Sequence, residues 1–83
     1  MTATEYGMKL LDIVEFGWGE YSDLYHDIYA CLLDWDDNHP QELAQSIRYV
    51  LEYYDISPRT NDTNRKLYRL LKQIENATPT DIE

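Results

Sequence analysis

The stretch Glu20-Tyr-Ser-Asp-Leu-Tyr-His-Asp-Ile-Tyr-Ala-Cys-Leu-Leu-Asp-Trp-Asp-Asp37 carries two patterns at once. At a helical advance of about 100° per residue, Tyr21, Leu24, Tyr25, Ile28, Cys31, Leu32 and Trp35 fall in one sector, and Asp23, His26, Asp27, Ala30 and Asp34 fall in another. One side is built for burial, and the other is a strip of carboxylates. The steps from Asp23 to Asp27 and from Asp27 to Asp34 measure roughly 6 and 10 Å at about 1.5 Å per residue. Those are about two and three base steps of a nucleic-acid strand.

Toward the N-terminus, Thr2 followed by Glu5 reads as a capping box, with Tyr6, Leu10, Ile13 and Val14 at helical spacing behind it. A helix over residues 3–16 is predicted. Gly17 and Gly19 around Trp18 are expected to break it, with Trp18 folded back as a lid on the core. The central stretch forms a second helix over residues 21–35.

Toward the C-terminus, Asp36-Asp37-Asn38-His39-Pro40 supplies turn chemistry, with Pro40 suited to the first helical position and Asn38 or His39 to the cap. The third helix, predicted over residues 40–54, buries Leu43, Ile47, Val50, Leu51 and Tyr54 and turns Glu42, Ser46, Tyr49 and Tyr53 the other way. After a loop around Pro58, one of Asn61, Asp62 or Thr63 caps a fourth helix over residues 62–75. Leu67, Leu70, Leu71 and Ile74 form its apolar stripe, and Arg65, Lys66, Arg69 and Lys72 its outer side. The segment 77–83 has no stripe and is expected to fray.

There is no strand-like alternation of useful length, no internal repeat and no low-complexity segment. Four short amphipathic helices on short connections predict an all-α fold, a compact four-helix bundle of short antiparallel helices. It forms a single domain over residues 1–76. A three-helix core with a loosely packed fourth helix is the alternative.

Eighty-three residues build one modest core and leave no room for a separate catalytic domain. With 43% apolar residues, eight Tyr and two Trp, the chain belongs with globular rather than disordered proteins. Sixteen acids against seven bases give a net charge of −9, which repels nucleic acid and anionic membrane and attracts basic protein surfaces. The single cysteine, Cys31, cannot form an internal disulfide and suits a reducing compartment, where it reads as a small buried hydrophobe. No basic leader and no run of 18 apolar residues is found, so a cytoplasmic location without a membrane partner is expected.

The chemistry of catalysis is missing. Cys31 points inward, and neither His26 nor His39 has an evident serine partner for a nucleophilic triad. Gly7, Gly17 and Gly19 match neither phosphate-cradling nor dinucleotide-binding spacing, so no cofactor is expected. Asp23-x-x-His26 with Asp27 offers three ligand atoms on one helix surface. A di-iron bundle needs inward-facing Glu-x-x-His pairs on two helices, whereas this chain has one pair, with Asp for Glu, facing outward. No metal site and no enzyme are expected.

The distribution of charge is what stands out. Glu20, Asp23, Asp27, Asp34, Asp36 and Asp37 occur without a Lys or Arg between Lys9 and Arg48. Residues 1–58 hold twelve acids and two bases, net −10, while residues 59–75 hold five bases and two acids, net +3. A charged helix surface keeps a small protein soluble, but interspersed bases would serve that end without the self-repulsion. Tyr49 and Tyr53, near Glu42 and Ser46, belong to a residue type favoured at interface hot spots. The basic side of the fourth helix admits three readings: docking on the chain's own acids, meeting the acids of a second copy in a homodimer, or plain solvation.

In size, acidity, tyrosine content and lack of catalytic apparatus the chain resembles the small inhibitors of phage and bacteriocin systems: anti-CRISPR proteins, DNA-mimicking anti-restriction proteins and immunity proteins for toxic nucleases. The likeness is one of composition and covers no motif. It implies a binding protein that fills the basic nucleic-acid groove of a nuclease or guide-RNA effector. Glu20, Asp23, Asp27, Asp34, Asp36 and Asp37 would stand in for phosphates, and Tyr49 and Tyr53 would anchor. The alternative is a regulatory or self-associating helical module whose acids only solubilise it.

Overall fold

A computed structural model of the chain describes residues 2–35 and 37–77. Asp36 and residues 78–83, and with them the expected fraying of the tail, lie outside the described residues. Four helices follow in order: α1 Ala3–Trp18, α2 Asp23–Asp34, α3 Pro40–Tyr53 and α4 Asp62–Glu75.

Each boundary has a local cause. At the start of α1 the Thr2 hydroxyl accepts from the Glu5 amide at 3.2 Å, and the Glu5 carboxylate accepts from the Thr2 amide at 2.8 Å. Contrary to the sequence expectation, α1 runs on through Gly17 to Trp18. A glycine inside a helix costs only about 1 kcal/mol relative to alanine, and the reversal falls instead on Gly19, whose φ of +95° few other residues tolerate. Trp18 therefore ends the helix and stays 39% exposed rather than folding back as a lid.

Helix α2 begins where the Ser22 hydroxyl accepts from the Tyr25 amide at 3.1 Å. That cap leaves Tyr21 outside the helix and 86% exposed, which corrects its place in the apolar stripe. Helix α3 has His39 at the N-cap and Pro40 at its start. It ends in a Schellman turn: Asp55 is left-handed at φ 58°, its amide bonds Glu52 O at 3.1 Å, and the Ile56 amide bonds Leu51 O at 2.9 Å. Asn61, one of three candidate caps, accepts from the Asn64 amide at 2.8 Å to start α4.

The helices close a ring in chain order, with α1 and α3 each packed against both α2 and α4. Cross-contacts give the directions. Thr4 at the start of α1 meets Asp37 just past α2; Cys31 meets Ser46 while Asp27 meets Tyr54; Tyr68 meets Ile56 while Arg48 meets Glu75; and Gly17 faces Thr63. Every neighbouring pair is antiparallel. The α1–α2 approach is close enough that a Cβ on Gly7 would collide with the Leu32 side chain.

Leu10, Val14, Ile28, Leu43, Ile47, Leu51, Leu67, Leu71 and Ile74 are fully buried, so each helix gives to the same core. Helix α4 supplies three of the nine, and the fold is the four-helix bundle rather than three helices with an appendage. Among the described residues, no helix is long and apolar enough to cross a membrane.

Candidate partner-binding face

Helix α2 leaves Asp23, Asp27, Ala30 and Asp34 exposed, and α3 leaves Glu42, Tyr49 and Tyr53 exposed. The seam between them is closed from below by Cys31 Sγ and Ser46 Oγ, 3.1 Å apart. Ser46 is thus half-buried in the helix contact instead of lying on the outer row with Glu42. Cys31 is buried, and burial pushes its thiol above the ordinary range despite the opposing effect of the Ser46 hydrogen bond. Cys31 belongs to the apolar core, where it packs as a small side chain.

At the outer lip of the seam the Tyr54 hydroxyl donates to Asp27 Oδ2 at 2.6 Å. That bond, with desolvation and the nearby charges of Asp27 and Asp23 adding to it, holds the phenol protonated up to about 12. Asp27, Tyr49, Val50, Tyr53 and Tyr54 line a cleft of 280 Å³, in which the Tyr53 and Tyr54 rings meet edge to face with centroids 5.1 Å apart and planes at 84°. Tyr49, 70% exposed, also borders a second cleft, shared with Trp35, Glu42, Gln45 and Ser46. Tyr53 is 71% exposed.

The α2–α3 seam therefore brings Asp27, Tyr49 and Tyr53 together, with Asp23 close enough to act on Tyr54. Asp34 lies further along the same side of α2, seven residues beyond Asp27. Two expected residues are placed differently. Glu20 sits in the turn before α2, and its charge, with those of Glu15 and Asp12, bears on Tyr25 on the α1 side. Asp37 is half-buried, and its Oδ1 accepts from the Thr4 amide at 2.8 Å, satisfying one of the unpaired N–H groups at the start of α1. Asp36 lies outside the described residues.

Neither Tyr54 nor Trp35 was readable as part of this face from sequence. Tyr54 has the phase of the buried stripe of α3, and only the end of that helix, where the chain turns off at Asp55, leaves its hydroxyl at the rim. In the Asp23-x-x-His26 pattern, the His26 and Tyr25 rings meet edge to face, centroids 6.0 Å apart. Among the described residues, no three His, Cys, Asp or Glu side chains gather where a metal ion could be held.

Helix α4 lies diagonally across the ring from α2, and among the described residues its ion pairs are made elsewhere. Arg65 pairs within its own helix to Asp62, and Glu75 receives Arg48 of α3 at 4.0 Å. Arg65, Arg69 and Lys72 border a cleft of 660 Å³ with Tyr6 and Tyr68. Four of the seven bases, Arg65, Lys66, Arg69 and Lys72, are thus carried by α4, and α2 carries no Lys or Arg. Comparison with protein-family models finds no match, and comparisons with curated proteins and with solved structures find none either.

Proposed function

We propose that this protein is a non-catalytic inhibitor that uses its acidic α2–α3 face to block the basic nucleic-acid-binding surface of a nuclease or CRISPR effector, in the manner of anti-CRISPR, DNA-mimic or immunity proteins. The observation that carries the reading is the joint exposure of unrelieved carboxylates and two tyrosines across one helix seam. Net charge −9 steers the protein toward a groove of Lys and Arg. There Asp23, Asp27 and Asp34 replace phosphates, while Tyr49 and Tyr53 supply large amphipathic contacts with few rotors. The setting this implies is the reducing cytoplasm of a bacterium, infected or toxin-producing.

The test is capture from a bacterial lysate on the tagged protein, elution by a salt gradient, and identification by mass, beside the Asp23/Asp27/Asp34→Asn variant. The expected result is one nucleic-acid-handling protein that the variant releases at lower salt, and whose nucleic-acid binding the wild-type chain inhibits. Equal retention by both forms removes the carboxylates from the mechanism.

A second reading, a self-associating or regulatory module, rests on Phe16 and Leu33, which are 95% and 69% exposed away from the acidic seam. Light scattering separates the two, because a dimer that persists at high salt and ignores basic proteins belongs to the second.

A further inference from the structure

The cleft between α2 and α3 has a chemistry of its own beyond the charge of the face around it. Among the described residues it is lined by Tyr49, Val50, Tyr53 and Tyr54 with Asp27 as its one acidic side chain, and no Lys or Arg lines it. Ring faces carry the negative side of the aromatic quadrupole, so three tyrosines around a carboxylate attract a cation and repel an anion. The volume of 280 Å³ falls below that of drug-sized ligand sites and suits one inserted side chain. Tyr54 already donates to Asp27 Oδ2, which fixes the carboxylate at the cleft wall before any partner arrives. A carboxylate has about four acceptor positions, so one such bond leaves both oxygens able to accept more.

We infer that this cleft is a receptor for a single arginine side chain of the protein partner. Arginine fits better than lysine for two reasons on view. Its flat guanidinium can lie against a ring in the corner that Tyr53 and Tyr54 form at 84°, while its edge bonds Asp27 in the forked geometry a carboxylate accepts. Lysine brings a compact, strongly hydrated charge that can use the carboxylate but gains less from the ring faces. The inference rests on the acidic face being the docking surface. It adds that recognition there is stereospecific at one point rather than a matter of charge alone, with Tyr53 and Asp27 as the specificity-determining pair.

The test uses the full chain and three capped tripeptides, Gly-Arg-Gly, Gly-Lys-Gly and Gly-citrulline-Gly, with a Gly-trimethyllysine-Gly arm, followed by NMR titration of the tyrosine ring signals. The expected result is saturable shifts confined to Tyr49, Tyr53 and Tyr54 with the arginine peptide, at least about fivefold tighter than lysine and about tenfold tighter than neutral citrulline. Tyr53→Ala and Asp27→Asn should each weaken arginine binding by about tenfold. Arg69→Gln, on the far side of the bundle, should leave it unchanged, and an unaltered spectrum of the remaining resonances shows each variant folded. Equal binding of arginine and citrulline, tighter binding of trimethyllysine, or shifts spread over the whole acidic surface would each overturn the assignment. Capture of a partner that survives while arginine binding is absent would remove the cleft but keep the face; the reverse would keep the cleft and remove the target-blocking role.

Discussion

Helices α2 and α4 are built alike on the inside and oppositely on the outside. Both start from a side-chain cap, Ser22 or Asn61, both carry an acid in the first turn, Asp23 or Asp62, and both bury a stripe in the shared core. They part at the other end. Helix α4 carries Lys72 in its last turn, where a cation is favoured by the partial negative charge of the helix C-terminus, and its terminal Glu75 meets Arg48 of α3. Helix α2 has no base in its last turn and finishes on Asp34, an anion at the end that disfavours it. The charges of α4 are also interleaved, with Arg65 paired to Asp62, whereas α2 contains no base at all. The terminal acid of α4 is thus offset by neighbouring bases, whereas Asp34 at the end of α2 has no Lys or Arg within its own helix. On the proposed function, a basic partner would offset the charge that Asp34 adds at the end of α2.

If the two helices are equal partners in the core, Ile28→Ala and Leu71→Ala should each destabilise the fold by about 2–5 kcal/mol. Both side chains are fully buried, and chemical denaturation reads the loss directly. A markedly smaller loss at Leu71 would break the equivalence and return α4 to a loosely attached role. The outer sides should then respond with opposite signs. Replacing Asp34 by Lys is expected to raise stability by about 0.5 kcal/mol, and replacing Lys72 by Asp to lower it by a similar amount. A stabilising change at Asp34 that also weakens partner capture would sharpen the contrast into a trade of stability for binding. Loss of stability on Asp34→Lys would undo it.

The smallest effect concerns a single proton. Tyr54 should ionise near pH 12 in an ultraviolet titration, and Asp27→Asn should bring it back toward 10, the ordinary value. Because the folded value is raised, the stability contributed by the Tyr54–Asp27 bond is fully present below about pH 10 and is lost as pH rises through 12. A Tyr54 that titrates normally in the wild-type chain would mean that the Asp27 carboxylate is not held in the cleft.

Much of the bundle is legible from residue spacing, since capping and periodicity act over a few residues. Thr2 with Glu5, Pro40, Asn61 and the Leu67–Ile74 stripe set helix number and most boundaries. What misled was the weight given to glycine: Gly17 stays helical, and the chain reverses only where Gly19 takes a positive φ. Trp18 stays outward as a consequence, and Tyr21 is left outside α2 by the Ser22 cap. For the site, the four- and seven-residue steps place Asp23, Asp27 and Asp34 on one side of α2, and a four-residue step places Tyr49 and Tyr53 on one side of α3. That those sides meet depends on which helices are neighbours and how each is rotated, which no local pattern states. The Tyr54–Asp27 and Thr4–Asp37 bonds span 27 and 33 residues, and for that reason the first enlarged the candidate face and the second drew Asp37 away from it.

The most direct measurement is the association rate between the captured partner and three forms of the chain across a salt series: wild type, Asp23/Asp27/Asp34→Asn, and Arg65/Arg69/Lys72→Gln. The acidic variant should associate at least about tenfold more slowly at low salt and lose most of its salt dependence, because steering scales with the charge facing the partner. The basic variant, altered on the opposite side of the bundle, should associate as fast as wild type or faster. A basic variant that fails to bind while the acidic variant binds normally would place the working surface on α4 and contradict the α2–α3 face as the docking site.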